Sequence, residues 1–285
     1  MGKKQLNILV TGANGQLGRC IQDVAKDATS LNFVFKDSKQ LDITNQGAVK
    51  NIFNTSRFDY CINCAAYTAV DKAEAEKEKA FLVNAEAVKY LAESCKENNV
   101  KLIHISTDFV FDGKKETPYT EESIPNPINV YGASKLKGEQ YIQNHIERYF
   151  IIRTSWVYSE YGHNFVKTML RLTQERNQIS VVNDQIGSPT YAGDLANVIL
   201  EIIGSDLVDY GVYHYSNEGE ISWYDFAQAI FEEKNVELVP ISTEEYPTPA
   251  KRPSYSVMDK TKIKQSLKIE IPYWKDTLQK TKDIK

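Results

Sequence analysis

The stretch "ILVTGANGQLGRC", residues 8–20, decides how the chain is read. Three apolar residues lead into Gly12, Gly15 and Gly18, spaced T-G-x-x-G-x-x-G, and a helical pattern starts near Leu17. An ordinary strand-to-helix turn needs one glycine. Three permit a tight turn and let backbone N–H groups close on a pyrophosphate at a helix N-terminus. The spacing differs from the G-x-G-x-x-G of many dehydrogenases, but the physical purpose is the same. Its place between a first strand and a first helix makes this stretch a dinucleotide-binding turn.

The pattern continues outward. Short apolar runs, "NFVFK" (32–36), "DYCIN" (59–63), "KLIHIS" (101–106) and "YFIIRTSWVY" (149–158), alternate with helical segments near Gln46–Asn54, Asp71–Asn98 and from Asn129. Such alternation predicts βαβ units with right-handed crossovers. The expected fold is α/β, a doubly wound, Rossmann-like parallel sheet, with a smaller C-terminal substrate-binding lobe. We assign 1–155 to the nucleotide-binding domain, extended by a returning segment at about 178–212. The lobe is assigned 156–177 and 213–285. Beyond about Trp156, helical patterns fall near Asn164–Glu175, Tyr191–Ile203, Trp223–Lys234 and Asp259–Gln265, the second of them in the returning segment.

Composition excludes several classes. The net charge of −4 over 285 residues gives no basic field for nucleic acid or an anionic membrane. No apolar run approaches the roughly 18 residues of a membrane span. The start of the chain shows no secretory pattern, so a cytoplasmic location is expected. Cys61 and Cys64 form a C-x-x-C inside a strand, where residues three apart face opposite ways, and no second pair accompanies them. The four histidines lack metal-ligand spacing, and no metal is expected. His104 reads as a packed strand residue.

The chemistry sits in "NVYGASKLKGEQ", 129–140. On a helix, Tyr131 and Lys135 share one face. Thr107, in "STDFVFDG", ends the fourth predicted strand, at the sheet edge where ligands of open α/β folds bind. Hydride delivery to a carbonyl requires a proton for the oxygen. A lysine ammonium and a positive nicotinamide ring would bring the tyrosine hydroxyl down from its usual pKa of about 10. Tyr131 and Lys135 would also contact the cofactor, the lysine holding its nicotinamide ribose, and Thr107 would orient the same carbonyl oxygen. At the adenosine end, Asp37 suits a ribose hydroxyl, whereas Lys36 and Lys39 suit a 2′-phosphate; the two signals conflict, so the expected cofactor is NADPH or NADH, with dual use or no choice between them.

These motifs in this order resemble the extended short-chain dehydrogenase/reductase family. The blocks 63–74, 106–113, 129–139, 151–158, 181–192 and 246–259 more closely resemble its dTDP-4-dehydrorhamnose reductase branch, nearly end to end. The resemblance implies reduction of the 4-keto group of dTDP-4-dehydro-L-rhamnose, with Tyr131 as proton donor and Lys135 as its partner. It implies that Gly15, Gln16 and Leu17 line the cofactor pyrophosphate, with Asp37, Asp42 and Ile43 near the adenosine half. Ala65, Ala66 and Tyr67 would run beneath its middle. Val70, Thr107, Asp108 and Trp156 would meet the sugar. Where some relatives place a metal-bridging carboxylate, this chain has Arg19-Cys20, which argues against a metal-bridged dimer and leaves monomer or homodimer.

Neighbouring chemistries differ at particular residues. A 4,6-dehydratase needs an Asp-Glu pair after the threonine, and Phe109 stands in place of the glutamate. A 4-epimerase or another nucleotide-sugar 4-reductase shares Tyr and Lys. A non-catalytic NADP-binding regulatory subunit would be free to lose the trio, which is retained here. Arg252, in "AKRPS", is our candidate for the nucleotide side of a dTDP-linked keto-deoxy sugar, because a guanidinium matches phosphate geometry.

Overall fold

Apolar residues on both faces of each inner strand force the sheet between two helical layers. The computed structural model describes residues 5–205, 207–231 and 236–280. In chain order, β1 (Leu6–Thr11), α1 (Gln16–Val24), β2 (Leu31–Lys36), α2 (Gln46–Thr55) and β3 (Tyr60–Asn63) form the first half. Then come α3 (Val70–Ala73), α4 (Lys77–Phe81), a π-turn at Leu82–Glu86, α5 (Ala87–Glu97), β4 (Lys101–Thr107), α6 (Val130–His145) and β5 (Tyr149–Thr154).

Beyond β5 run β6 (Val157–Tyr158), α7 (Phe165–Glu175), β7 (Gln178–Val182), β8 (Ile186–Gly187), β9 (Thr190–Tyr191), α8 (Ala192–Gly204) and β10 (Gly211–His214). The chain continues through β11 (Ile221–Ser222), α9 (Trp223–Phe231), β12 (Glu237–Ile241), α10 (Thr261–Leu267) and α11 (Trp274–Lys280). The main sheet has the order β10-β5-β4-β3-β1-β2, every pair parallel. Ile8, Val10, Ile62, Ile103 and Ile152 pack with α1 and α8 on one face. Leu9, Cys61, Leu102 and Ile151 pack with α2, α5 and α6 on the other. The doubly wound parallel sheet is therefore as expected.

Several expectations change in detail. The single helix expected over 71–98 is broken into α3, α4, the π-turn and α5. The π-turn frees the buried Asn84 to bond sideways: its Oδ1 accepts from Tyr67 N (2.8 Å), and its Nδ2 donates to Tyr67 O (2.9 Å) and Ser134 Oγ (3.0 Å). "YFIIRTSWVY" is two strands, because Trp156 between them takes a φ of 48°. Within the expected returning segment, only β10 joins the main sheet, together with the covering helix α8. β7 pairs instead with β12 in a separate two-stranded sheet, since its buried Ile179 and Val181 face α9. Conversely, Ile263 of α10 and Ile271, assigned to the lobe, pack on the main sheet's core. The helix expected over Trp223–Lys234 is described as far as Phe231; its end, like residues 1–4 and 281–285 of the assigned domains, lies outside the described residues. Among the described residues, no helix is long and apolar enough to cross a membrane.

Candidate active site

The glycine loop is shaped by what its glycines lack. Gly12 has a φ of 67°, and a Cβ there would lie 2.5 Å from the backbone nitrogen of Ala65. A Cβ on Gly18 would lie 2.5 Å from Gly12 O. The loop thus lies flat against the turn after β3, with Gly15 at the N-terminus of α1. Leu17 is buried in the core beneath. Gln16 reaches away, accepting at Oε1 from Asn164 Nδ2 (2.9 Å) and Ser159 Oγ (3.2 Å). Asp37 accepts from Asn14 Nδ2 (2.7 Å) and from the backbone of Lys39 and Gln40 (2.9 Å each), which ties the end of β2 to the glycine loop. Asp42 closes a local turn on Thr44, and Ile43 is buried in the core. Ala65, Ala66 and Tyr67 follow β3, with Ala65 N donating to Asn63 Oδ1 at 3.2 Å. All these residues lie along the C-terminal edge of the sheet, where the positive end of α1 also points.

Thr107, Tyr131 and Lys135 converge at the same edge. Asn129 caps α6, accepting from Gly132 N at 2.7 Å, while its Nδ2 donates to Lys251 O at 2.8 Å. That cap fixes where Tyr131 enters the site. The Thr107 hydroxyl donates to Asp108 Oδ1 at 3.0 Å and hydrogen-bonds with Tyr131. The buried Lys135 donates from Nζ to Ile105 O at 2.6 Å. Burial pushes the Tyr131 hydroxyl up to about 12; hydrogen bonding with Thr107 opposes this and the Asp108 charge adds to it. The expected lowering of the tyrosine by its lysine is therefore not what the protein's own groups produce. Burial dominates, and Lys135 Nζ bonds to Ile105 O. Lys135 itself is brought down to about 8, by burial against the opposing charge of Glu139. Asp108, also buried, is pushed up to about 6 despite hydrogen bonding from Ser256 and Thr107.

A cavity of about 550 Å³ opens beside this edge, between the sheet and the lobe. Asp108, Phe109 and Trp156 line its near end, Phe165, Met169 and Leu172 its apolar wall. Phe109 also meets Tyr131 edge-on, with ring centroids 5.6 Å apart. Trp156 stacks on Trp223 at 3.6 Å, and Gly187 is bare because a Cβ would sit 2.6 Å from the Trp156 ring. Val70 opens α3 next to Asp71. Arg252 lines the cavity, but its guanidinium is committed to Asp71 at 3.1 and 2.8 Å, and to Thr248 and Ala250 O. That pairing holds the Asp71 carboxyl below its ordinary range and offsets much of the arginine's charge. At the place considered for a metal bridge, Arg19 lies over the Tyr161 ring at 4.1 Å, and Cys20 is buried.

Other residues escaped the sequence reading. Glu139 and Arg153 form a buried ion pair directly behind Lys135, with Nη2 to Oε2 at 2.7 Å. Ser106 Oγ donates to Glu139 Oε1 at 2.5 Å, and His214 lies 3.5 Å from Arg153 Nη1. Glu139 follows Lys135 by one helical turn, and Ser106 precedes Thr107, so the helical period was a usable clue. Arg153, on a strand 14 residues later, carried none. Trp223 reads as core by periodicity, yet it also supports the cavity's tryptophan.

Comparison with known proteins fits this geometry. The family model described as the RmlD substrate binding domain matches residues 6–284. The dTDP-4-dehydrorhamnose reductase of Aggregatibacter actinomycetemcomitans is 45% identical, over 95% of this chain and 97% of its own. Crystal structures of the dTDP-4-dehydrorhamnose reductases of Bacillus anthracis, in complex with NADP, and of Clostridium acetobutylicum superpose with TM-scores of 0.93 and 0.94. They are 43% and 42% identical, and each match covers at least 97% of both chains. The chain belongs to the dTDP-4-dehydrorhamnose reductase family.

Proposed function

We propose that this chain reduces the 4-keto group of dTDP-4-dehydro-L-rhamnose to give dTDP-L-rhamnose, using NADPH or NADH. The observation that carries the reading is the convergence of Thr107, Tyr131 and Lys135 at one sheet edge, between a glycine loop and a sugar-sized cavity. The residues fit a dinucleotide. A bare Gly12 lets the loop lie against Ala65, and the α1 N-terminus stands beside it for a pyrophosphate. When bound, the cofactor supplies hydride. The pyrophosphate would rest on Gly12, Gly15, Gln16, Leu17 and Gly18, the adenosine half near Asp37, Asp42 and Ile43, and the middle over Ala65, Ala66 and Tyr67.

The chain's own groups do the remaining work. A reductase needs its tyrosine loaded with a proton, and a hydroxyl raised to about 12 stays loaded through the neutral range. Tyr131 gives that proton to the sugar oxygen, and Thr107 orients the oxygen. Lys135, as an ammonium, stabilises the tyrosinate left behind. Val70, Asp108 and Trp156 hold the sugar, and the apolar wall of the cavity excludes water.

Arg252 anchors the nucleotide side through its fixed place beside Asp71. Replacing it in Arg252→Ala is expected to raise the Michaelis constant for the nucleotide sugar about tenfold, with turnover changed far less. Steady-state kinetics with varied sugar checks this, and an unchanged Michaelis constant would remove Arg252 from the site. The function itself is tested by following cofactor absorbance with dTDP-4-dehydrorhamnose and each cofactor in turn. Binding of NADPH without oxidation at any sugar concentration would instead support a regulatory, non-catalytic role. The protein is expected to act in the cytoplasm as a monomer or homodimer.

A further inference from the structure

A chain of buried side chains runs behind Lys135, and its hydrogen-bond directions can be deduced. Ala65 donates its backbone N–H to Asn63 Oδ1 at 3.2 Å, and Thr11 Oγ1 donates to the same oxygen at 2.6 Å. A backbone N–H can only donate, so the orientation of the Asn63 amide is fixed. Its Nδ2 therefore faces His104 Nδ1, at 3.0 Å, as the donor. A neutral imidazole that accepts at Nδ1 carries its proton on Nε2. That Nε2–H lies 3.2 Å from Lys135 Nζ. An ammonium has no lone pair to accept it; an amine has one, and still keeps a hydrogen for Ile105 O at 2.6 Å.

We propose that His104 is a positioning residue that sets the charge of Lys135: its Nε2–H, aimed at Nζ by the Asn63 amide, stabilises the amine at the expense of the ammonium. The inference rests on the reductase reading for its kinetic consequence, but not for the tautomer itself. The other groups facing Nζ are Glu139 from α6 and Cys64 from the turn after β3. The Glu139 carboxylate pulls the other way and is itself paired with Arg153. Burial holds the Cys64 thiol protonated and so neutral, and Tyr131, on the same helix, is neutral for the same reason. Burial also depresses His104, so its ring stays neutral while the lysine titrates. The lysine comes down to about 8, within reach of the cell's pH. The ammonium is the form that supports Tyr131, so turnover falls as pH rises through that value.

Two measurements test this. In the full chain labelled with ¹⁵N-histidine, the His104 resonances should show a bare Nδ1 and a protonated Nε2 from mildly acid to mildly alkaline pH. A protonated Nδ1 would overturn the proposal, whatever reaction the chain catalyses. The second uses Asn63→Asp, which offers only acceptors to Nδ1 and so moves the proton off Nε2, and His104→Gln, whose amide oxygen can turn to the ammonium. In both, the alkaline limb of the kcat/KM profile should move up by about one pH unit. A uniform loss at every pH with the limb unmoved would make His104 a packing residue only. If the wild-type chain oxidised neither cofactor, the reductase reading would fall, and the nitrogen spectrum would still decide the tautomer.

Discussion

Tyr131→Phe is expected to lower turnover by roughly 10²–10⁴-fold, the usual contribution of a positioned general acid. Cofactor affinity should stay within about twofold, because the lost hydroxyl meets Thr107 rather than the glycine loop. The phenyl ring keeps its edge-on contact with Phe109, so the cavity wall is preserved. Lys135→Ala should differ by damaging cofactor binding and turnover together, since the lysine is expected to hold the nicotinamide ribose as well as to support Tyr131. Stopped-flow binding of NADPH beside steady-state turnover separates the two. Near-normal turnover in Tyr131→Phe would return this residue to the ordinary surface of α6.

Arg153→Ala should cost about 3–5 kcal/mol of folding stability, the largest effect expected outside the chemistry. Glu139 and Arg153 are almost wholly buried, with side-chain exposures of 1% and 3%. Removing the guanidinium leaves a buried carboxylate with the Ser106 hydroxyl as its remaining hydrogen-bond donor among the described residues. Equilibrium unfolding in urea measures the loss. The double replacement Arg153→Met with Glu139→Leu should recover most of it, because an apolar pair of similar volume leaves no orphaned charge. A loss under about 1 kcal/mol in Arg153→Ala would mean that the pair is hydrated in solution.

The sheet was legible because its evidence is local. Each inner strand is a short apolar run bounded by turn residues, and the period of the intervening helices is plain. That the glycine loop, Thr107, Tyr131 and Lys135 share one edge was legible from the order of the motifs, each following its own strand, and not from any one spacing. What was not legible depends on contacts between distant segments. At the π-turn, Asn84 bonds to Tyr67 and Ser134, partners 17 and 50 residues away. The pairing of β7 with β12 joins residues 59 apart, and nothing in either strand names the other. Arg252 reads in the sequence as a cation suited to a phosphate, but the Asp71 that offsets it lies 181 positions earlier. His104 looked like a packed strand residue, and it is packed; its second role follows from which nitrogen Asn63 addresses, which no pattern of residue types reveals.

The most direct test follows the hydride itself. NADPH carrying deuterium at the transferable position of its nicotinamide is mixed with dTDP-4-dehydrorhamnose and the full chain, and the sugar product is read by mass spectrometry and NMR. The account predicts one deuterium at C4 for each cofactor oxidised, with the new hydroxyl on the same carbon. Oxidation without label at C4, or no oxidation with either NADPH or NADH, would contradict it.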